Sequence, residues 1–261
     1  TNGDDVLTGT NSADCIFGFA GDDTISSANG NDHIWGNLGV DTINAGRNDD
    51  LIYWTDGDGQ DIIDGGDQND KLLLTGTDDY ILSSFGASTG TRRIETIESI
   101  GGTRDILGDA GDNRLNFGGT DLIGIDNILA GEGNDNITAA RNSSAVIYAE
   151  GGDDTVNGNN GGADEIYGGP GVDTINGNNG NDRIIGGTGD DILNGGRNDD
   201  TFIWTDGDGQ DIIDGGDQND KLELYGTADY ILTSFGGSKG PRRIETRDII
   251  GGNRANGGAS G

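Results

Sequence analysis

Single apolar residues recur along this chain at intervals of mostly nine or ten, set among polar residues and glycine. A first run comprises Leu7, Ile16, Ile25, Ile34, Ile43, Ile52, Ile63 and Leu72. A second comprises Ile128, Ile137, Val146, Val156, Ile166, Ile175, Ile184, Leu193, Phe202, Ile213 and Leu222. One apolar residue between two polar ones predicts a very short strand with a single side chain directed inward. Nine residues make half a coil and eighteen a full one, so successive turns fall on alternate edges.

Two positions before each apolar residue stands an aspartate. The first run is Asp5, Asp14, Asp23, Asp32, Asp41, Asp50, Asp61 and Asp70. The second is Asp126, Asp135, Asp154, Asp164, Asp173, Asp182, Asp191, Asp200, Asp211 and Asp220, with Ser144 filling the one gap. Two residues earlier again, Gly occupies 13 of the 19 positions and Asn three more. Both tolerate positive φ, so they bend the backbone until its carbonyls converge. An aspartate beside converging carbonyls gives the hard oxygen cage that Ca²⁺ prefers. Each ion is expected between turns n and n+2 on one edge. Ser144, Ser12, Gln68 and Gln218 depart from the pattern, and weak or absent ions are expected there.

The segments GGPGVDTIN (168–176), GNNGNDRII (177–185) and GGTGDDILN (186–194) resemble the nonapeptide of the repeats-in-toxin (RTX) family. The resemblance implies an all-β fold, the parallel β-roll, stapled by Ca²⁺. It implies no particular activity, because the family spans toxins, proteases, lipases, epimerases and surface proteins.

A larger repeat overlies the small one. Residues 46–102 and 196–252 match at an offset of 150 with 44 of 57 positions identical. Two tandem rolls are therefore expected, 1–73 within 1–102 and 103–223 within 103–261. Residues 74–102 and 224–252 break the nonapeptide period. YILSSF, GASTG and TRRIET, with counterparts YILTSF, GGSKG and PRRIET, predict a β-hairpin capping each roll, and a Gly-rich tail follows the second.

Charge sharpens the picture. The chain carries 47 Asp and Glu against 15 Lys and Arg, for a net charge of −32. Such a field repels nucleic acid and anionic membranes and attracts cations, and no apolar stretch is long enough for a membrane span. Only 31% of residues are hydrophobic, and Cys15 is the sole cysteine, so bound cations rather than disulfides are the expected staple. The n/n+2 rule, with the Ser144 sites set aside, gives about a dozen Ca²⁺ ions.

Catalytic constellations are weak. DGDGQD (56–61 and 206–211) lacks the glycine and glutamate of an EF-hand loop and reads as an enlarged roll turn beside Trp54 or Trp204. Ser88 and Ser238 lie in G-x-S-x-G matches, but that motif needs a histidine base, and the only histidine, His33, sits in a repeat strand. No enzyme is expected. Arg92–Arg93 and Arg242–Arg243 are expected to pair with the acidic roll rather than with an anionic glycan.

The expected function is a secreted, extracellular or cell-surface Ca²⁺-binding structural module of a surface, matrix, layer or filament protein. Alternatives are a secretion and folding appendage of an upstream enzyme or toxin, or a glycan- or ice-binding adhesin segment. Thr1 starts inside the first repeat with no leader visible, so a processed or excised segment and head-to-tail self-assembly are also expected.

Overall fold

The computed structural model describes residues 1–82, 84–86, 90–141, 145–226, 234–235 and 244–250, the last two segments as backbone only. Every secondary-structure element is a strand, and every strand pairing among the described residues is parallel. The chain forms two compact units, Thr1–Gly108 with Arg114–Asn127, and Asp109–Asn113 with Ile128–Gly261. Residues Arg114–Asn127, beyond the boundary expected after residue 102, thus pack within the first unit.

In the first unit, Val6–Thr8, Thr24–Ser26, Thr42–Asn44 and Ile62–Asp64 stack into one four-stranded sheet. A six-stranded sheet contains Cys15–Ala20, His33–Leu38, Leu51–Thr55, Lys71–Thr75, Thr96–Ser99 and Asp121–Ile123. Chain order alternates between the two sheets, so each full coil contributes one rung to each. The second unit repeats this plan. Thr155–Asn157, Thr174–Asn179, Ile192–Arg197 and Ile212–Asp217 form one stack, and Val146–Tyr148, Glu165–Pro170, Arg183–Thr188, Thr201–Thr205 and Asp220–Tyr225 the other. The fold is a parallel β-roll.

The core is the ladder of repeat residues read from the sequence. Ile25 pairs with Ile43 and Ile43 with Ile63 on one sheet. Ile34, Ile52 and Leu72 align on the other, and all six are at most 1% exposed. With strands this short, burial of one aliphatic side chain per rung contributes about 1.5–3 kcal/mol. The outward face of the six-stranded sheet carries a stack that the nine-residue pattern did not signal. Phe17, Trp35 and Tyr53 lie at centroid distances of 4.4 and 4.2 Å with nearly parallel rings. His33 Nδ1 lies 3.0 Å from the Tyr53 hydroxyl.

The expected hairpin over 74–102 is corrected. Tyr80–Ile81 pairs in parallel with Arg104–Leu107, Ser84–Phe85 with Arg114–Asn116, and Thr96–Ser99 with Lys71–Thr75. The segment adds irregular coils, with one local bond from the Gly86 N–H to the Thr91 carbonyl at 2.9 Å, rather than an antiparallel hairpin. The physical reason is its own apolar content: Tyr80, Leu82, Phe85, Ile94 and Ile97 are all buried, and an antiparallel flap could not bury one face of every rung. In 224–252, Ser234–Phe235 and Ile244–Ile250 likewise pair in parallel, with Ile212–Asp217 and Asp220–Tyr225. The loop GGSKG and Ser238, like Ser88, lie outside the described residues.

Gln68 and Gln218 occupy glycine positions yet adopt φ of 89° and 87°. The turn is imposed on them by the neighbouring coils, at a steric cost of roughly 1–2 kcal/mol for a residue with a Cβ. Gln68→Gly is therefore expected to stabilise the Ca²⁺-loaded chain by about 1 kcal/mol. A denaturant midpoint that falls instead would show that the Gln side chain contributes more than its backbone costs.

Candidate metal centres

The ladder aspartates sit at the corners of the roll, where each turn delivers its carboxylate into a short strand. Their backbone amides and side chains form a continuous coil-to-coil chain. The Asp5 N–H donates to Asp23 Oδ1 at 2.7 Å, Asp23 to Asp41 at 2.8 Å, and Asp41 to Asp61 at 2.9 Å. On the other edge Asp14 donates to Asp32, Asp32 to Asp50 and Asp50 to Asp70, at 2.8–2.9 Å. The second unit runs Asp135, Asp154, Asp173, Asp191 and Asp211 along one edge. Asp164, Asp182, Asp200 and Asp220 follow along the other. These bonds join each turn to the one two steps on along the same edge, the turns between which the ions are expected.

One oxygen of each aspartate is used in this way. The other oxygen, Oδ2, is buried without a hydrogen-bond donor in Asp23, Asp32, Asp41, Asp50, Asp70, Asp135, Asp154, Asp173, Asp182, Asp191 and Asp200. Buried carboxylate oxygens without partners are costly and do not persist without compensation. In Asp23, Asp41, Asp70, Asp173, Asp182, Asp191 and Asp200 it lies against the glycine that opens its own turn, whereas Ser27, Ala45, Ala130 and Ala149 hold that place before Asp32, Asp50, Asp135 and Asp154. A Cβ placed on Gly177 would collide with Asp182 Oδ2 and lie 2.6 Å from the Gly195 carbonyl. At Gly18 it would collide with Asp23 Oδ2 and lie 2.6 Å from the Gly36 carbonyl. At these two corners a carboxylate oxygen and a carbonyl of the next coil thus converge beside the turn-opening glycine. Among the described residues no three His, Cys, Asp or Glu side chains cluster. The donor set is carboxylate plus backbone carbonyl, all hard oxygen, which fits Ca²⁺ rather than a softer metal.

The electrostatics agree. Burial, opposed by the amide hydrogen bond and reinforced by neighbouring carboxylates, pushes Asp50, Asp154 and Asp191 up to about 7. Burial raises Asp61 to about 8 and Asp173 to about 6. A cation at these corners would restore the ionised form.

Several positions differ. Asp5 and Asp14 are only half-buried, and Asp14 Oδ2 already accepts the Thr10 amide at 2.6 Å. Asp126 is exposed within Ile125–Leu129 and joins no corner. Asp164 accepts the Asn159 backbone amide and side-chain amide at 2.8 and 2.6 Å, so Asn159 fills part of that corner. The longer ten-residue step leading to Asp164 is the signal for it. Ser144 lies outside the described residues.

A second ladder was not anticipated. Where the residue just before a ladder aspartate is itself Asp or Asn, it can cap the same position one coil away: Asp22 N–H donates to Asp4 Oδ1 and Val40 N–H to Asp22 Oδ1, at 3.0 and 2.9 Å. Asp153, Asp190 and Asp199 act likewise. The recurring Asp-Asp and Asn-Asp doublets carry that signal. The DGDGQD segment is an enlarged turn, closed by Thr55 N–H on Asp58 Oδ2 at 2.7 Å and Trp54 Nε1 on the Gly59 carbonyl at 3.0 Å. Arg92 and Arg93 both pair with Asp64, at 2.6 and 2.5 Å.

A family model described as the RTX calcium-binding nonapeptide repeat (4 copies) matches residues 1–34, 17–52, 55–89, 122–141, 146–162, 167–202 and 205–237. These segments cover well over half of the chain. No curated protein matches it.

Proposed function

The chain belongs to the RTX calcium-binding nonapeptide repeat family, and we propose that it is a secreted Ca²⁺-binding structural module that folds on meeting Ca²⁺ outside the cell. The observation that carries this reading is the set of buried aspartate Oδ2 atoms facing a carbonyl of the adjacent coil. The proposed ligands are Asp5, Asp14, Asp23, Asp32, Asp41, Asp50, Asp61, Asp70, Asp135, Asp154, Asp164, Asp173, Asp182, Asp191, Asp200, Asp211 and Asp220. Bound Ca²⁺ supplies the positive charge that lets successive carboxylates stack a strand spacing of ~5 Å apart. The protein's own part is to hold the carboxylate and carbonyl oxygens in place and keep them dry.

The 150-residue duplication supports a building block of a surface layer, matrix or filament, since arrays grow by copying whole units. The role is mechanical and non-enzymatic, with each corner aspartate assigned to an ion. Extracellular modules of this kind bind Ca²⁺ at ~10⁻⁴–10⁻³ M, so cytoplasmic Ca²⁺ leaves the acidic chain unfolded and exportable. Isothermal titration of the full chain is expected to give about a dozen Ca²⁺ ions, with Mg²⁺ a poor substitute because it keeps its waters and demands a tighter octahedron. Asp182→Ala, in the most regular part of the second unit, is expected to raise the Ca²⁺ midpoint. Tight binding of one or two ions only, or equal response to Mg²⁺, would overturn the proposal.

A further inference from the structure

We infer that the coil following the last nonapeptide turn of the first unit forms an additional Ca²⁺ site, in which Glu95 and the Arg93 carbonyl complete a corner with Asp70. The inference rests on the calcium reading above and extends it to residues outside the repeat pattern.

Asp70 is the last ladder aspartate on its edge of the first run: no aspartate stands 18 to 20 residues further on, the spacing of the next coil. Its environment nevertheless repeats that of the regular corners. Asp70 Oδ1 accepts the Asp50 N–H at 2.9 Å, while Oδ2 is buried and without a donor, in a residue only 1% exposed. A Cβ on Gly65, the glycine that opens this turn, would lie 2.6 Å from that Oδ2 and would collide with the Arg93 carbonyl. The Gly195 carbonyl holds the same place for Asp182. The Gly65 N–H donates to the Arg92 carbonyl at 3.1 Å, as the Gly9 N–H does to the Ser26 carbonyl at 2.8 Å. Arg93 therefore stands where a regular coil has its turn-opening residue.

Glu95 stands where that coil has its aspartate. The Asp70 N–H donates to Glu95 Oε2 at 2.8 Å, the bond that every regular corner makes to an aspartate Oδ1 of the next coil. The turn from Arg93 to Glu95 is shorter than the regular one from glycine to aspartate, and the extra methylene of glutamate offsets the lost reach. The amides of Glu95 and Thr96 both donate to the Asp70 carbonyl, at 3.1 and 3.2 Å, which brings the shortened turn back into register. The positive charge of the same segment is directed elsewhere, since the Arg92 and Arg93 guanidinium groups both engage Asp64. Burial pushes Asp70 up to about 7, with Glu95 the foremost neighbouring like charge. Two carboxylates and a carbonyl thus converge on one corner, a donor set for a hard divalent cation. Glu245 is the counterpart at an offset of 150. The pairing of Ile244–Ile250 with Asp220–Tyr225 carries its register irregularity at this step, between the Asp220–Ile244 and Lys221–Thr246 pairs.

The test is ion counting on the full chain by equilibrium dialysis with radioactive Ca²⁺. Glu95→Gln keeps an oxygen to accept the Asp70 N–H but removes the charge. It is expected to bind one ion fewer than wild type. Glu98→Gln, whose carboxylate meets Lys71 at 2.8 Å, is expected to retain the full count. A wild-type count and midpoint in Glu95→Gln would reduce Glu95 to a hydrogen-bond acceptor and overturn the inference. Should that variant fail to fold at saturating Ca²⁺, Glu95→Asp takes its place, since it keeps the charge but loses the methylene that reaches the corner: one ion fewer supports the site, and an unchanged count and midpoint overturn it. Wild-type protein that binds no Ca²⁺ would instead sink the underlying calcium reading.

Discussion

Chelation of Ca²⁺ at neutral pH is expected to abolish most of the strand signal in circular dichroism, and readdition at ~10⁻³ M to restore it. The magnitudes decide this. The first and second units together bury the unpaired Oδ2 atoms of Asp23, Asp32, Asp41, Asp50, Asp70, Asp135, Asp154, Asp173, Asp182, Asp191 and Asp200. Each uncompensated buried polar atom costs ~1–3 kcal/mol, and more when charged. A typical domain has only ~5–15 kcal/mol of net stability. The repeat core cannot absorb that total, because each rung buries a single inward aliphatic such as Ile34 or Ile52. Strand-rich spectra persisting in excess chelator would show that the apolar ladder suffices alone and that the ions are ornaments.

Acidification is expected to do part of the work of Ca²⁺. With no metal bound, Asp70, Asp154, Asp182, Asp191, Asp200 and Asp211 are held near 7 in the folded state, chiefly by burial. Asp41, Asp164 and Asp173 are held near 6 and Asp61 near 8. In the unfolded chain a carboxylate returns to ~3.9. The folded pKa is the higher one, so the folded state binds more protons. The resulting stability is fully present below about pH 4 and is lost as pH rises through the window 6–8. Chelated protein at pH 5 should therefore show more strand than at pH 8. In Ca²⁺ the sign reverses, because protons compete for the same oxygens, and the Ca²⁺ midpoint should rise as pH falls. Chelated protein with equal or greater strand content at pH 8 would contradict the burial of these carboxylates.

Much of this molecule is legible in the sequence itself. The inward ladder of Ile25, Ile43 and Ile63, the alternation of edges and the pairing of Asp182 with Asp200 all follow from a fixed period. The reason is that a β-roll is nearly one-dimensional: each coil contacts its neighbours, so spacing along the chain sets position in space. The enlarged turns at Asp58 and Asp208 were legible too, because the whole 150-residue unit repeats.

Where the period stops, the sequence lost its authority. YILSSF and TRRIET look like two strands joined by a five-residue loop, and local pattern favours a hairpin. Only the stacked coils decide that Thr96–Ser99 pairs in parallel with Lys71–Thr75. Burial of Tyr80, Phe85 and Ile97 outweighs the short-range turn. The same holds for Asp126, which fits the spacing yet is exposed, and for Glu95, which fits no spacing yet caps Asp70. A carboxylate becomes a corner ligand because the next coil brings an amide and a carbonyl to it. Repetition alone fixes that approach inside the nonapeptide runs; at their ends, only the tertiary packing of irregular coils does.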